Sequence, residues 1–149
     1  MNEQAYRELV DVILSILPAQ TLRIVLFGSR ARGTASPDSD IDIALFISER
    51  LSHQQQDQLD EVIVDLDLKY DCVFSVIDID WQTYMKWRHV SPFYQNVDRE
   101  GIVLWETKTE DLEYKLDEAD RMAESSDLRL TGAEVFERAR QRVLDRDKT

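Results

Sequence analysis

The sequence is short of the residues on which several kinds of protein depend. A single cysteine, Cys72, excludes an internal disulfide, and with only His53 and His89 beside it there is no ligand set for a structural zinc. The apolar residues around Cys72 read it as a core thiol rather than a nucleophile. Basic residues are scarce as well: 18 Lys and Arg stand against 30 Asp and Glu, a formal charge of -12. Contacts to a phosphate backbone come from Lys and Arg, so a broad nucleic-acid surface is excluded and no direct DNA binding is expected. No apolar run approaches the ~20 residues of a membrane span and no basic-then-apolar leader opens the chain, which reads as soluble and cytoplasmic. Core-forming residues, by contrast, are plentiful. The chain is 43% hydrophobic, with three Trp, five Tyr and five Phe in 149 residues, enough for one compact domain and short for two.

Residues 24–47 organise the rest. They run IVLFGSRARGTASPDSDIDIALFI: an apolar run, a Gly-Ser step, a polar connection, then two carboxylates one residue apart leading into a second apolar run. Both runs have strand length and composition. Side chains alternate along a strand, so Asp40 and Asp42 point to one side while Ile41 and Ile43 point to the other. Like charges held together raise one another's pKa unless a cation or a basic group intervenes, which suits either a metal site or a shared proton. The neighbouring residues favour the metal. Gly28 permits a backbone angle other residues avoid and lets a phosphate approach the following amides; Ser29 adds a hydroxyl, and Arg30 and Arg32 add positive charge. Magnesium takes oxygen ligands and bridges carboxylates to substrate phosphates. The plainer reading is a turn pair followed by a solvated acidic loop; it suits each half alone better than both together.

The two segments Gly28-Ser29-Arg30-Ala31-Arg32-Gly33 and Ser39-Asp40-Ile41-Asp42-Ile43-Ala44-Leu45 closely resemble the signature of the minimal nucleotidyltransferases. These are the small MntA-like members of the DNA polymerase beta nucleotidyltransferase superfamily. Their signature is a Gly-Ser pair, about ten residues, then an acidic, an apolar and a second acidic residue. The resemblance implies a polymerase-beta-like α/β (mixed α+β) fold, a small mixed sheet flanked by helices. It also implies ATP bound over the Gly-Ser turn, and magnesium held by Asp40, Asp42 and a third carboxylate on a later strand.

Taken in order, a helical stripe of Tyr6, Leu9, Val10, Ile13 and Leu17 predicts a helix over residues 3–17, stopped by Pro18. Residues 23–27 and 40–47 are the first two strands, joined by at most a short helix over residues 29–32, which Gly33 ends, and a turn-rich loop over 34–39. Ser52 with Gln55 forms a capping box for a helix with Leu59, Val62, Ile63 and Leu66 on its apolar side. Residues 70–77 read as a third strand with Asp71 near its start. A carboxylate there is costly if buried unpaired, and it matches the third carboxylate that the resemblance implies. Asp65, Asp67 and Asp78 lie outside this strand. Residues 80–88 suggest a short helix whose Trp81, Tyr84 and Trp87 pack rather than stack on a base, with His89 at the surface. Residues 91–101 read as a turn region before a short strand at 102–105, and the resemblance extends over residues 22–106.

A minimal nucleotidyltransferase domain is thus expected over residues 1–106 and a C-terminal helical tail over 107–149, in two amphipathic pieces starting near Thr109 and Thr131. The tail is read as serving packing, dimerisation or partner docking. Family relatives pair with an all-helical HEPN protein. This tail is too short to be one and lacks the R-x-x-x-x-H motif of its ribonucleases. The resemblance therefore implies a magnesium-dependent enzyme that transfers AMP from ATP to a tyrosine of a HEPN-type toxin, as its antitoxin. The alternatives are a non-catalytic antitoxin or nucleotide sensor, an aminoglycoside-type transferase, and a structural homo-oligomer.

Overall fold

Pro18 follows the first helix as expected: α1 is Glu3–Ile16, with Ala5, Tyr6, Leu9 and Ile13 on its buried stripe. The computed structural model describes residues 3–124. The order is α1, β1 (Thr21–Phe27), α2 (Gly28–Arg32), β2 (Ile41–Ile47), α3 (His53–Tyr70), β3 (Phe74–Asp80), α4 (Trp81–Trp87), α5 (Pro92–Glu100), β4 (Ile102–Glu106) and α6 (Thr109–Glu124). The four strands form one mixed sheet in the order β3-β2-β1-β4. β1 is antiparallel to both β2 and β4, whereas β2 and β3 run parallel because α3 carries the chain back between them.

Alternation along β2 divides the core into two layers. Ile41, Ile43, Leu45 and Ile47 face α1 and α3, packing with Leu9, Ile13, Leu59 and Leu66. Ala44 and Phe46 face the other way, onto Trp81, Tyr84 and Met85 of α4, Val97 of α5 and Leu116 of α6. Phe46 is fully buried and meets the Tyr84 ring edge-on at 4.8 Å; truncating such a side chain costs about 3–5 kcal/mol. Trp81 and Tyr84 of α4 are therefore packing residues, as expected, whereas Trp87, expected to pack with them, does not join the core. Trp87 is half exposed and His89 lies at the surface. Among the described residues no helix is long and apolar enough to cross a membrane.

Two expectations fail. Residues 91–101 are largely a helix, α5, with Pro92 in its first turn, where a missing N–H costs nothing, and Val97 on its buried side. The strand expected at 70–77 starts four residues later. α3 keeps its helical hydrogen bonds to Tyr70, and Asp71 then takes the left-handed conformation (φ 51°, ψ 52°) and donates its N–H to Asp67 O. Asp tolerates this conformation better than most residues. The second tail helix, expected from Thr131, falls outside the described residues.

Candidate active site

The polar end of the sheet is built around the contact between Gly28 and Asp42. Phe27 pairs with Asp42 across the β1–β2 ladder, so the next residue, Gly28, turns directly over the carboxylate. Its φ is +74°, and a Cβ built there would overlap Asp42 Oδ2 and lie 3.1 Å from Cγ. Only glycine meets both demands. α2 begins at this residue, and its N-cap, Phe27, supplies no side-chain acceptor to the first-turn amides. Gly33, φ +76°, closes the helix as expected by donating its N–H to Ser29 O, and Thr34 N–H donates to the same oxygen at 3.0 Å.

The loop then returns to β2. Ser36 and Ser39 hydrogen-bond to each other, and Arg30 Nη2 donates to Ser39 O at 2.9 Å and to Pro37 O at 3.3 Å. Arg30 thus holds the approach to Asp40. Arg32, half exposed, instead donates to Glu100 Oε2 at 3.0 Å, tying α2 to α5; Arg99 lies 3.6 Å from the other oxygen of the same carboxylate. The hydrogen bond from Arg32, ahead of every other influence, holds the Glu100 carboxyl below its usual range.

Asp40 is exposed and Asp42 half-buried. Asp42 shares the face of Ala44 and Phe46, as alternation requires. Burial pushes its pKa up, the charge of Asp40 pushes it further, and Arg32 pulls it back. These are two carboxylates close enough to repel, beside a glycine turn with uncapped amides.

Asp71 does not join them. In the parallel register Asp42 pairs with Ser75, and Ser75 lies on the same face, since Ile79 further along β3 packs with Phe46. The strand position beside Asp42, where a third carboxylate would sit, is a serine. Asp71 is exposed at the end of α3, and Asp67 is occupied in accepting from Phe74 N–H at 2.8 Å. No cluster of three or more His, Cys, Asp or Glu side chains suited to a metal occurs among the described residues. Two carboxylates beside a glycine turn with uncapped amides do fit one magnesium ion shared with substrate phosphates. The described residues do not supply a three-carboxylate centre. Ser75 and Glu100 were missed in the sequence because both are identified by cross-element pairing, which no local pattern records.

This glycine turn, uncapped helix and acid-apolar-acid strand lie together at one end of the sheet. A model of the nucleotidyltransferase domain family matches residues 7–117, from α1 into α6. The chain belongs to the nucleotidyltransferase domain family. A candidate protein adenylyltransferase of Methanocaldococcus jannaschii is 34% identical over 106 residues, covering 70% of this chain and all of that one. A second candidate protein adenylyltransferase of the same organism is 31% identical over 71 residues, covering 48% of this chain and 72% of the other. Among solved structures, a mutant of the MntA toxin–antitoxin system superposes with a TM-score of 0.51 at 23% identity over the full length of both chains. The spectinomycin adenyltransferase of Enterococcus faecialis reaches 0.53 at 14% identity, covering 86% of this chain and 70% of that one. At these identities the structures share a fold, the polymerase-beta-like one expected from the sequence. Membership of the family makes this chain a nucleotidyltransferase.

Proposed function

We propose that this nucleotidyltransferase transfers AMP from ATP to a hydroxyl of a partner protein, a tyrosine of a HEPN-type helical toxin, and so acts in the cytoplasm as an antitoxin. The observation that carries the reading is the contact of Gly28 with Asp42, which puts the amides that would meet phosphate against a carboxylate that would hold magnesium. The names of the Methanocaldococcus jannaschii relatives support a protein acceptor. The toxin partner rests on the resemblance of the Gly-Ser and Asp-Ile-Asp segments to MntA-like antitoxins, and the MntA system is also a structural neighbour.

In this reading the acceptor oxygen attacks the α-phosphorus in line. A new P–O bond forms, the bond to the β-phosphate bridge breaks, pyrophosphate leaves and the hydroxyl proton passes to water. Magnesium, when bound, neutralises charge on the phosphate oxygens. Asp40 and Asp42 hold that ion. The amides of Gly28 and Ser29 orient the outer phosphates, and Arg32 is near enough to Asp42 to reach the same group once it releases Glu100. Arg30 keeps the loop in place. Asp71 is assigned no part, since it leaves the strand before the site begins.

The test is to isolate the chain with its native partner and add labelled ATP with magnesium. Label should reach the partner with the intact chain and with Asp78→Ala, and fail to do so with Asp42→Ala. A folded complex of the intact chain that never labels its partner would sink the enzymatic proposal. Ser75 beside Asp42 favours a second reading, a nucleotide-binding antitoxin that neutralises its partner without transfer. That reading requires saturable ATP binding and toxin neutralisation that survives Asp42→Ala.

A further inference from the structure

A second polar cleft opens on the same face of the sheet, at the other end of the strands. It has a volume of about 460 Å³ and is lined by Arg23, Trp81, Arg88, Asp98 and Glu106, with Met85 and Leu112 as apolar wall. It is separate from the carboxylate site. Arg23 pairs with Phe46 and Phe27 with Asp42, so four residue steps, roughly 13 Å at ~3.3 Å per residue, separate them.

The cleft holds buried donors without acceptors. Trp81 is 4% exposed and Arg88 9%, yet neither the indole Nε1 nor the guanidinium Nε has a hydrogen-bond partner among the described residues. The rest of the Arg88 head is loosely held. It lies over the Tyr84 ring at 5.0 Å, reaches Met85 Sδ at 3.9 Å, and stands 3.6 Å from Asp98 Oδ2. Arg23 lies over the Phe46 and Trp81 rings at 5.4 and 5.5 Å, with Nε 3.4 Å from Glu106. The acceptors, in contrast, are engaged: Asp98 takes the Tyr84 hydroxyl at 2.7 Å and Glu106 faces Arg23. Buried donors left unpaired in a native fold call for an explanation. The volume is within the usual range of small-molecule sites, and the lining is mainly polar and charged with a smaller apolar wall.

We propose that this cleft binds a small organic oxyanion, a carboxylate or phosphate monoester on an apolar body. Its oxygens accept from Trp81 Nε1 and Arg88, and its body rests on Met85 and Leu112. A guanidinium stacked on an aromatic face presents its edge to such an oxyanion in the geometry it favours. A neutral hydroxyl offers the same donors a weaker acceptor than an oxyanion does.

The full-length chain, labelled with nitrogen-15, tests this by titration at constant ionic strength with phenylacetate, phenyl phosphate and neutral benzyl alcohol. Asp42→Ala serves as background so that phosphate binding at the carboxylate site does not enter. The indole signal of Trp81, assigned through Trp81→Phe, should move saturably with one or both anions, and which of them saturates identifies the headgroup. Affinity should fall about tenfold in Trp81→Phe, which keeps the wall and removes one donor, and further in Arg88→Gln. If Arg88→Gln does not fold, Trp81→Phe alone carries the expectation. Failure of both anions to saturate, equal binding of benzyl alcohol, or unchanged affinity in folded Trp81→Phe would overturn the proposal.

Discussion

Replacing Gly28 with alanine, alongside the same change at Gly33, separates backbone strain from displacement of the Asp42 carboxylate. Both glycines have nearly the same left-handed φ, +74° and +76°, so alanine pays a similar conformational penalty at each, about 1–2 kcal/mol. In a domain of this size that lowers Tm by roughly 2–8 °C. The surroundings differ. A Cβ at Gly33 meets nothing within 4 Å, whereas at Gly28 it overlaps Asp42 Oδ2 with Cγ and Cβ at 3.1 and 3.3 Å. The Asp42 carboxylate must therefore swing aside by about 1 Å, and a misplacement of that size in a reacting geometry costs about 10²-fold in rate. Thermal melts of both variants should thus fall together, with Gly28→Ala somewhat lower. Label transfer from ATP to the partner should fall about 10²-fold in Gly28→Ala and stay within about twofold in Gly33→Ala. Equal transfer by the two variants, in either direction, would refute the role given to the Gly28–Asp42 contact.

Asp71→Ala should transfer AMP within about twofold of the unaltered chain in the same assay, because the residue caps α3 and faces solvent; a loss near 10²-fold would restore it to the site. Asp42→Asn should make the metal-free protein more stable at neutral pH. The folded-state pKa of Asp42 is raised, so its contribution to stability is fully present below the ordinary value of 3.8 and lost as pH rises through the folded-state value. Urea melts should show the asparagine variant's advantage disappearing on acidification across that window. Tyr84→Phe removes a buried hydroxyl that donates to Asp98 at 2.7 Å, and should lose about 1.5–3 kcal/mol at neutral pH. Burial, then Asp98, pushes the Tyr84 pKa from 10.0 up to about 12. Its stabilisation is present below about pH 10 and fades as pH rises through about 12, where melts of the variant and the unaltered chain should converge.

The legible parts of the molecule were those with local physical causes. Pro18 after an apolar stripe, Gly33 after a short helix, and Ser52 with Gln55 each act within one turn of chain, and each was found where expected. Alternation places Asp42 on its face of β2, but the strand begins at Ile41, so Asp40, expected to open it, stands just before it. The third carboxylate failed because it depends on two quantities that are not local: how far α3 runs before its last turn opens, and the register of β3 against β2. The apolar stripe of α3 ends at Leu66, but helical hydrogen bonding is retained to Tyr70. Counting the strand from Tyr70 put Asp71 in the sheet; the chain begins pairing at Phe74, and Ser75 becomes the neighbour of Asp42. Parallel register answers to both faces of the sheet at once, here Phe74 on one core layer and Ile79 on the other. α5 escaped for a related reason. Its Pro92 reads equally as a turn residue or as the first residue of a helix, and only the burial of Val97 against the sheet decides.

The charges around Gly28 make the cation obligatory for the reaction proposed. Asp40 and Asp42 act on each other, and the nearest positive influence on Asp42, Arg32, is already shared with Glu100 at 3.0 Å. Arg30 turns Nη2 to the carbonyls of Pro37 and Ser39, and its buried Nε has no hydrogen-bond partner among the described residues. Glu100 draws on Arg32 and Arg99 together, so Arg32 is only a shared partner for the Asp40 and Asp42 pair, on a chain whose formal charge is already -12. A triphosphate brought there alone would meet repulsion that two or three backbone amides do not offset. In the proposed reaction, divalent metal is therefore expected to govern nucleotide binding as well as the chemical step. Removing it with a chelator should abolish saturable ATP binding, measured by titration calorimetry, and not merely transfer. In Asp40→Asn/Asp42→Asn, where the repulsion is gone, weak metal-independent ATP binding should return without any transfer. ATP that binds the unaltered chain equally well with and without magnesium would show that Asp40 and Asp42 serve some purpose other than holding the ion.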